Sequence, residues 1–395
     1  MINDELVYVF YENFTTVFNL GQLNYVQMIV RFPVALTCYA AFRITTQYSL
    51  KYLMLYCFSI VYQFYCVPYT GFYLLYFSLL FICVYLFFTK QLKKTFWVYF
   101  NRQVILKTLS ILAVSFGLLA VLLWPYIVMS QTVGLRLYKE VLPNVPNVHS
   151  YLLAHEPSLL WHFLYAYAYN SNTVPWLHYV FPGMLLLMTL VGSAGVLIYK
   201  AVKKQEIPVL LKSLIVVSSI ICLLHFRVGD NVSLYALIFK LPGINSIRVP
   251  NRFMHVELFF LLLILGFFVR NFNYKWMLLF IIAMLADNSF EPMLVIRTPK
   301  QQLVQRQKQL QQQIMQHEGY AQKTLAVIDT ITPAYITHLD AMLLSQELGM
   351  KTINGYSSYC PNAFGEYFTN CSEKGLNKWM QDQGLKAQDI LILKR

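Results

Sequence analysis

The stretch LPGINSIRVPNRFMHVE, Leu241–Glu257, runs straight into the apolar series Leu258–Phe268, and this junction decides how the chain is read. Eleven apolar positions in a row, reached from a Pro- and Arg-bearing segment, describe a helix that begins at a membrane surface and then enters it. Two arginines, Arg248 and Arg252, stand four residues apart at that helix start. A charge at such depth is costly unless it is paired or bound, so its default reading is functional. Pro250 suits the first helical turn, where its fixed φ fits and its missing N–H is not needed. Free amide donors, the positive end of the helix dipole and two guanidinium groups together make a phosphate-holding arrangement. The alternative is snorkelling, in which the arginines anchor a helix end among lipid headgroups.

The composition of the whole chain supports the membrane reading. Its 395 residues are 57% hydrophobic, 16% aromatic and only 12% charged. A soluble globular domain does not reach these values, so the chain reads as a polytopic membrane protein. The net charge of +13 does not indicate nucleic acid, because the basic residues sit in short clusters between apolar runs. They read as topology determinants facing anionic lipid. Of the seven cysteines, Cys38, Cys57, Cys66, Cys83 and Cys222 fall inside apolar runs without metal-ligand spacing. Cys360 and Cys371 lie in a polar region, where a bridge between them stays open. Ile2–Leu20 mixes acids and aromatics, so no cleavable signal peptide is expected and the first span itself directs insertion.

The first stretch, 1–24, is too polar to span. About eight transmembrane helices follow within 25–294, near Tyr25–Ile44, Leu50–Pro68, Tyr69–Phe88, Thr108–Met129, His178–Tyr199, Ile207–Phe226, Met254–Phe272 and Trp276–Leu294. Arg43 with Lys51, then Lys90, Lys93, Lys94, Arg102 and Lys107, then Lys200, Lys203 and Lys204, then Arg270 and Lys275 occupy alternating short connections. The positive-inside rule places these in the cytoplasm. The N-terminal stretch, the loops 130–177 and 227–253 and everything from residue 295 onward are then extracytoplasmic.

Residues 295–395 follow another pattern. Gln301–His317 reads as an amphipathic helix on Leu303, Leu310 and Ile314, Thr324–Ile328 as a strand, and Ala334–Leu348 as a helix ended by Gly349. Lys351–Ile353 as a strand, Leu376–Gln383 as a helix and Ile390–Leu393 as a strand complete a small, mostly parallel α/β domain.

Several residues are candidates for chemistry. The loop after the fourth span offers Tyr126, Arg136, Glu140, His155, Glu156 and His162. The three residues His155, Glu156 and His162 lack metal-ligand spacing, so no metal site is expected. Arg136 and Glu140 pair with each other if that loop is helical. Arg227, Asp230 and Lys240 add charge near the opening stretch, on the side where positive charge is normally depleted. That excess favours Arg248 and Arg252 as phosphate contacts. In NGYSSYCP, Asn354–Pro361, the Asn-Gly turn and the tyrosines suit either a sugar or a structural turn. His338 and Asp340 are expected to be solvated. Asp4 and Glu5 form an acid pair that could serve as a general base.

Gln27, Pro33, YQFYCVPYTGFYL at Tyr62–Leu74, WPY and GLR within Trp124–Arg136, LPGINSIRVPNRF at Leu241–Phe253 and NGYSSYCP at Asn354–Pro361 together give a resemblance. From about Leu20 to the C-terminus, their order resembles the latter part of bacterial GT-C type, polyprenyl-phosphate-sugar-dependent integral-membrane glycosyltransferases. These are related in architecture to protein mannosyltransferases. The resemblance implies a GT-C-like α-helical membrane protein of the bacterial cytoplasmic membrane with an extracytoplasmic C-terminal α/β domain. A polyprenyl-phosphate sugar in the membrane lipid would be the donor, and no cofactor and no nucleic-acid partner are expected. Arg248, Arg252 and Arg136 would hold the donor phosphate, and Tyr126, Asn354 and Tyr356 would contact substrate. Relatives carry a catalytic acid in the first extracytoplasmic loop, which nothing here matches, so Asp4 and Glu5 cannot be equated with it. The expectation is therefore an enzyme or an N-terminally truncated, inactive remnant, with a missing N-terminal half or a partner subunit supplying the rest. The alternative is a non-catalytic subunit that binds, transports or assembles lipid-linked glycan.

Overall fold

The computed structural model describes residues 30–47, 49–134, 136–154, 158–169, 178–229, 232–289, 300–356 and 362–395. It divides into two compact units, one of Met1–Val128 with Leu135–Leu294 and one of Met129–Gly134 with Val295–Arg395.

The first unit is built on α1 (Phe32–Gln47), α2 (Leu50–Cys66), α3 (Pro68–Thr89), α4 (Ile105–Val133), α5 (Met184–Val202), α6 (Val209–Leu224), α7 (Met254–Val269) and α8 (Tyr274–Asp287). A small antiparallel hairpin, β1 (Arg227–Val228) and β2 (Val232–Ser233), follows α6. Among the described residues, four stretches are long and apolar enough to cross a membrane: Pro68–Thr89, Ile105–Gln131, Met184–Val202 and Pro250–Val269. That supports a helical membrane protein. α6 is apolar but shorter, and α1, α2 and α8 have 16, 17 and 14 residues, below the roughly 20 that a hydrocarbon core demands.

Local chemistry sets these ends. Between α2 and α3, Val67 is extended (φ −152°, ψ 103°), as the residue before a proline prefers, and Pro68 opens α3. The expected span His178–Tyr199 becomes helical only at Met184. Gly183, at φ +97°, turns the chain there, and the Asp287 carboxylate accepts from the Met184 amide at 2.9 Å and the Leu185 amide at 3.0 Å. Two of the amides orphaned at the start of α5 are thus satisfied from the end of α8. A Cβ at Gly183 would come within 2.6 Å of Asp287 Oδ2. α7 is apolar around its whole circumference and is correspondingly buried, packing on α3, α5 and α6.

The second unit contains α9 (Lys300–Met315), β3 (Thr324–Ile328), α10 (Ala334–Glu347), β4 (Lys351–Thr352), α11 (Gly365–Asn370), α12 (Glu373–Asp382) and β5 (Ile390–Lys394). The strand order is β4-β3-β5, with both pairings parallel. Alternate residues of the strands feed two apolar layers. Leu325, Val327, Leu391 and Leu393 pack with Leu310, Ile314, Ala341 and Leu344, while Ala326, Ile328 and Ile390 pack with Phe364, Tyr367, Leu376 and Met380. Gly349, at φ +67°, ends α10. Two expectations are corrected here, since His338 and Asp340 are buried at 0% and 1% exposure. Asp340 accepts from Arg306 Nε at 2.9 Å and Arg395 Nη1 at 3.2 Å, and these cations replace water around it.

Candidate functional site

One face of α3 buttresses the segment that leads into α7. Tyr69, Phe72, Tyr73 and Tyr76 follow helical spacing, and each meets part of that segment. The Tyr76 hydroxyl donates to the Pro242 carbonyl at 2.9 Å, and the Tyr73 hydroxyl donates to the Pro250 carbonyl at 3.3 Å. Gly243, at φ +80°, lies so close to Phe72 that a Cβ would fall 2.1 Å from the ring. Tyr69 lies under the Arg252 guanidinium at 4.3 Å. Pro250 opens a 3-10 turn, Pro250–Phe253, that continues into α7. Packing therefore fixes the backbone and the aim of Arg252, while the Arg248 side chain is exposed.

The neighbouring loops are stitched to this segment by hydrogen bonds. Asn144 Nδ2 donates to the Arg248 carbonyl at 3.1 Å, Asn251 Nδ2 to the Tyr179 carbonyl at 3.4 Å, and the Arg227 amide to the Pro146 carbonyl at 2.8 Å. Asn147 and Ser150 form a capping box at the helix Val148–Leu152, and Ser150 Oγ lies 2.9 Å from His178 Nδ1. One end of the bundle thus carries Arg227, Arg248 and Arg252 on a braced set of loops.

Arg227 is only 9% exposed, and its buried Nε has no hydrogen-bond partner among the described residues. Burial, reinforced by the Arg227 charge, lowers His178 to about 4 despite the Pro143 carbonyl, so this histidine is neutral near pH 7. The Arg31 and Arg252 charges both act on His255, the second residue of α7. No described carboxylate of this unit forms a salt bridge with these arginines. Glu140 and Glu206 are exposed. Asp287 caps α5 and accepts from Trp161 Nε1 at 2.9 Å, and Glu257 accepts from Ser218 and Cys222. Every salt bridge found between described residues, such as Arg306–Asp340 and Lys394–Glu373, lies in the second unit. A set of braced cations with no described acid against them can hold an anion by charge-assisted hydrogen bonds.

The other sequence candidates scatter. Arg136 precedes the helix Tyr138–Val141, so it does not share a helix with Glu140. Tyr126 is exposed on α4, one residue after the internal Pro125. His162 is exposed at the start of the helix His162–Tyr169. Asn354 and Tyr356 belong to the second unit. Asp4, Glu5, His155, Glu156, Asp230 and Cys360 lie outside the described residues, and no group of three metal-ligating side chains gathers among those described. Sequence reasoning passed over Arg31, His255, Glu257 and Asp287. Glu257 and Asp287 carried a readable signal, an acid within or ending an apolar run.

The second unit holds a constellation that looks catalytic. Cys371 Sγ lies 3.3 Å from His338 Nε2, and His338 Nδ1 lies 3.3 Å from Asn354 Nδ2. Cys371 also adopts a left-handed backbone, φ 44°. Asn354, expected to contact substrate, is 3% exposed and spends its amide on Val327, accepting from the Val327 N–H at 2.7 Å and donating to its carbonyl at 3.1 Å. If the Asn354 amide also donates to His338 Nδ1, the imidazole proton sits on Nε2, which faces the Phe368 carbonyl at 3.1 Å. That nitrogen cannot then take a proton from the thiol. Burial, helped by the Asp329 charge, pushes the Cys371 thiol up to about 12. The cluster is therefore a closed structural knot. Tyr356 remains exposed and stacks on Phe368, with centroids 5.9 Å apart.

Compared with known proteins, the chain matches no family model, no curated protein and no solved structure.

Proposed function

We propose that the first unit binds the phosphate of a polyprenyl-linked sugar at the membrane surface, as a GT-C-like glycosyltransferase. The observation that carries this reading is the cationic end of the bundle, Arg227, Arg248 and Arg252, none of which forms a salt bridge with a described carboxylate. Arg252, held over Tyr69, would orient the phosphate; Arg248, exposed, would close on it; Arg136 would be a further contact. Guanidinium groups suit this task because their fork matches phosphate oxygens and they stay charged at every relevant pH. In sugar transfer the same cations would stabilise the departing polyprenyl phosphate. This reading takes α1 to α8 as eight spans in a bacterial cytoplasmic membrane, with the cationic end and the second unit extracytoplasmic. Tyr126 would contact substrate, and Asp4 and Glu5 stay the candidates for a general base.

A second reading is binding of the lipid-linked glycan without chemistry. It is favoured by the internal commitment of Glu257 and Asp287, which leaves neither free to act as base at the cationic end. The test is the full-length protein in lipid vesicles with radiolabelled polyprenyl-phosphate sugar. Retention with release of polyprenyl phosphate supports transfer, and retention alone supports the binder. Arg248→Ala with Arg252→Ala should abolish retention in both cases. No retention by the unsubstituted protein rules out both readings.

A further inference from the structure

Away from the arginines, α7 brings a carboxylate into a setting that supplies it no counter-charge. Glu257 lies in the first turn of α7 and is 0% exposed. Its Oε1 accepts from the Ser218 hydroxyl and from the Cys222 thiol, the latter at 3.7 Å, both on α6. Its Oε2 has no hydrogen-bond partner among the described residues. Tyr151, from the helix Val148–Leu152, reaches the same Cys222 thiol that donates to Glu257. Cys222 thus links the buried Tyr151 hydroxyl to the Glu257 carboxylate.

Among the described residues, no salt bridge balances the charge of Glu257. On α7 itself, Arg252 lies over Tyr69, and His255 is acted on by Arg252 and Arg31. From α3, Tyr73 turns to the Pro250 carbonyl. On α5, Thr189 and Ser193 bond back to their own helix. From α1, Cys38 acts on Tyr56. An ionised carboxylate buried without a partner costs several kcal/mol or more, so a positive charge from outside these side chains has to accompany it.

We propose that Glu257, Ser218 and Tyr151 form an oxygen-lined site for one monovalent cation, a proton or a sodium ion. A single carboxylate matches a single positive charge, and hard oxygen donors suit such ions where a thiolate would not. Cys222 flanks the site as a weak donor. The site is separate from the arginines and stands whether or not they bind phosphate.

The test uses full-length protein in vesicles and a hydrophobic carbodiimide, which reacts with a carboxyl only while it carries a proton. Mass spectrometry should find the adduct on Glu257, and E257Q should lack it. Sodium chloride at about ten times its dissociation constant should cut labelling about tenfold if sodium is the ion, with choline chloride inert. If the ion is the proton, labelling ignores sodium and declines only as pH rises. Thermal unfolding gives a second readout, because the Tm of the unsubstituted protein should respond to sodium, or to pH, more than that of E257Q does. Absence of the adduct together with a Tm response equal to that of E257Q overturns the proposal.

Discussion

The two units bury the same kinds of polar side chain to opposite ends. In the second unit, His338, Asn354, Asp329 and Asp340 each meet protein partners on more than one side. The unpartnered buried atoms found there belong to neutral Gln307 and Thr337. In the first unit, ionisable groups are among those left with an unpartnered buried atom, including Arg227, His225 and Glu257. A buried polar group that is fully used rigidifies a core, whereas one left open is costly unless something else completes it. Residue identity alone would have chosen the Cys371, His338 and Asn354 cluster as the site. Hydrogen-bond completeness points instead to the basic end of the bundle and to Glu257.

Substitutions in the closed unit should therefore cost stability and leave binding alone. The largest effect is expected for Asp340→Ala, which leaves Arg306 and Arg395 facing each other without their shared carboxylate. About 3 kcal/mol is expected, read as loss of protease protection over residues 300–395 of the full-length protein. Asn354→Ala removes both bonds to the Val327 backbone and should cost about 2 kcal/mol, seen as faster amide exchange in β3. If either variant lost lipid-phosphate retention while keeping its fold, the contrast between the units would collapse.

Gly183→Ala probes the first unit where it too is closed. The added Cβ meets Asp287 at a left-handed backbone, and about 1–2 kcal/mol should be lost, with faster exchange at the start of α5. The smallest effect is a pH trend. Burial holds the His338 imidazole below its ordinary value against the Phe368 and Tyr367 carbonyls, so the unfolded chain takes up that proton first. The contribution is present above about pH 6.5 and is lost as the pH falls through it. Burial alone would raise Asp329, but the Thr332 and Ile331 amides, the Thr332 hydroxyl and the Arg395 charge outweigh it and hold the carboxyl low. Its contribution is lost at still lower pH, below about 4. Amide exchange of β3 across acid pH would show both steps, and H338Q should remove the upper one.

Much of the second unit was legible because its signals are local. Alternating apolar strands, a helix-ending glycine and amphipathic spacing place β3, α10 and β5 within a residue or two of where they lie. The fates of His338 and Asp340 were not legible, because their partners come from far away. Arg306 and Arg395 stand 34 and 55 residues from Asp340. In the first unit, the apolar runs fix where helices form but not which faces meet. Tyr69, Phe72, Tyr73 and Tyr76 read as ordinary span residues, and only the fold shows them bracing Pro242, Gly243, Pro250 and Arg252. The position of Arg248 and Arg252 at a helix start was readable from charge on an apolar background, whereas the difference between Arg252 held over Tyr69 and the exposed Arg248 was not.

The carboxylate at the end of α8 has a bearing on biogenesis. Met184 and Asp287 are 103 residues apart. During synthesis α5 leaves the ribosome first, with its leading amides unsatisfied until α8 has been made. These two amides can meet their carboxylate only after Asp287 has been made, so its arrival is the step that locks the helix start.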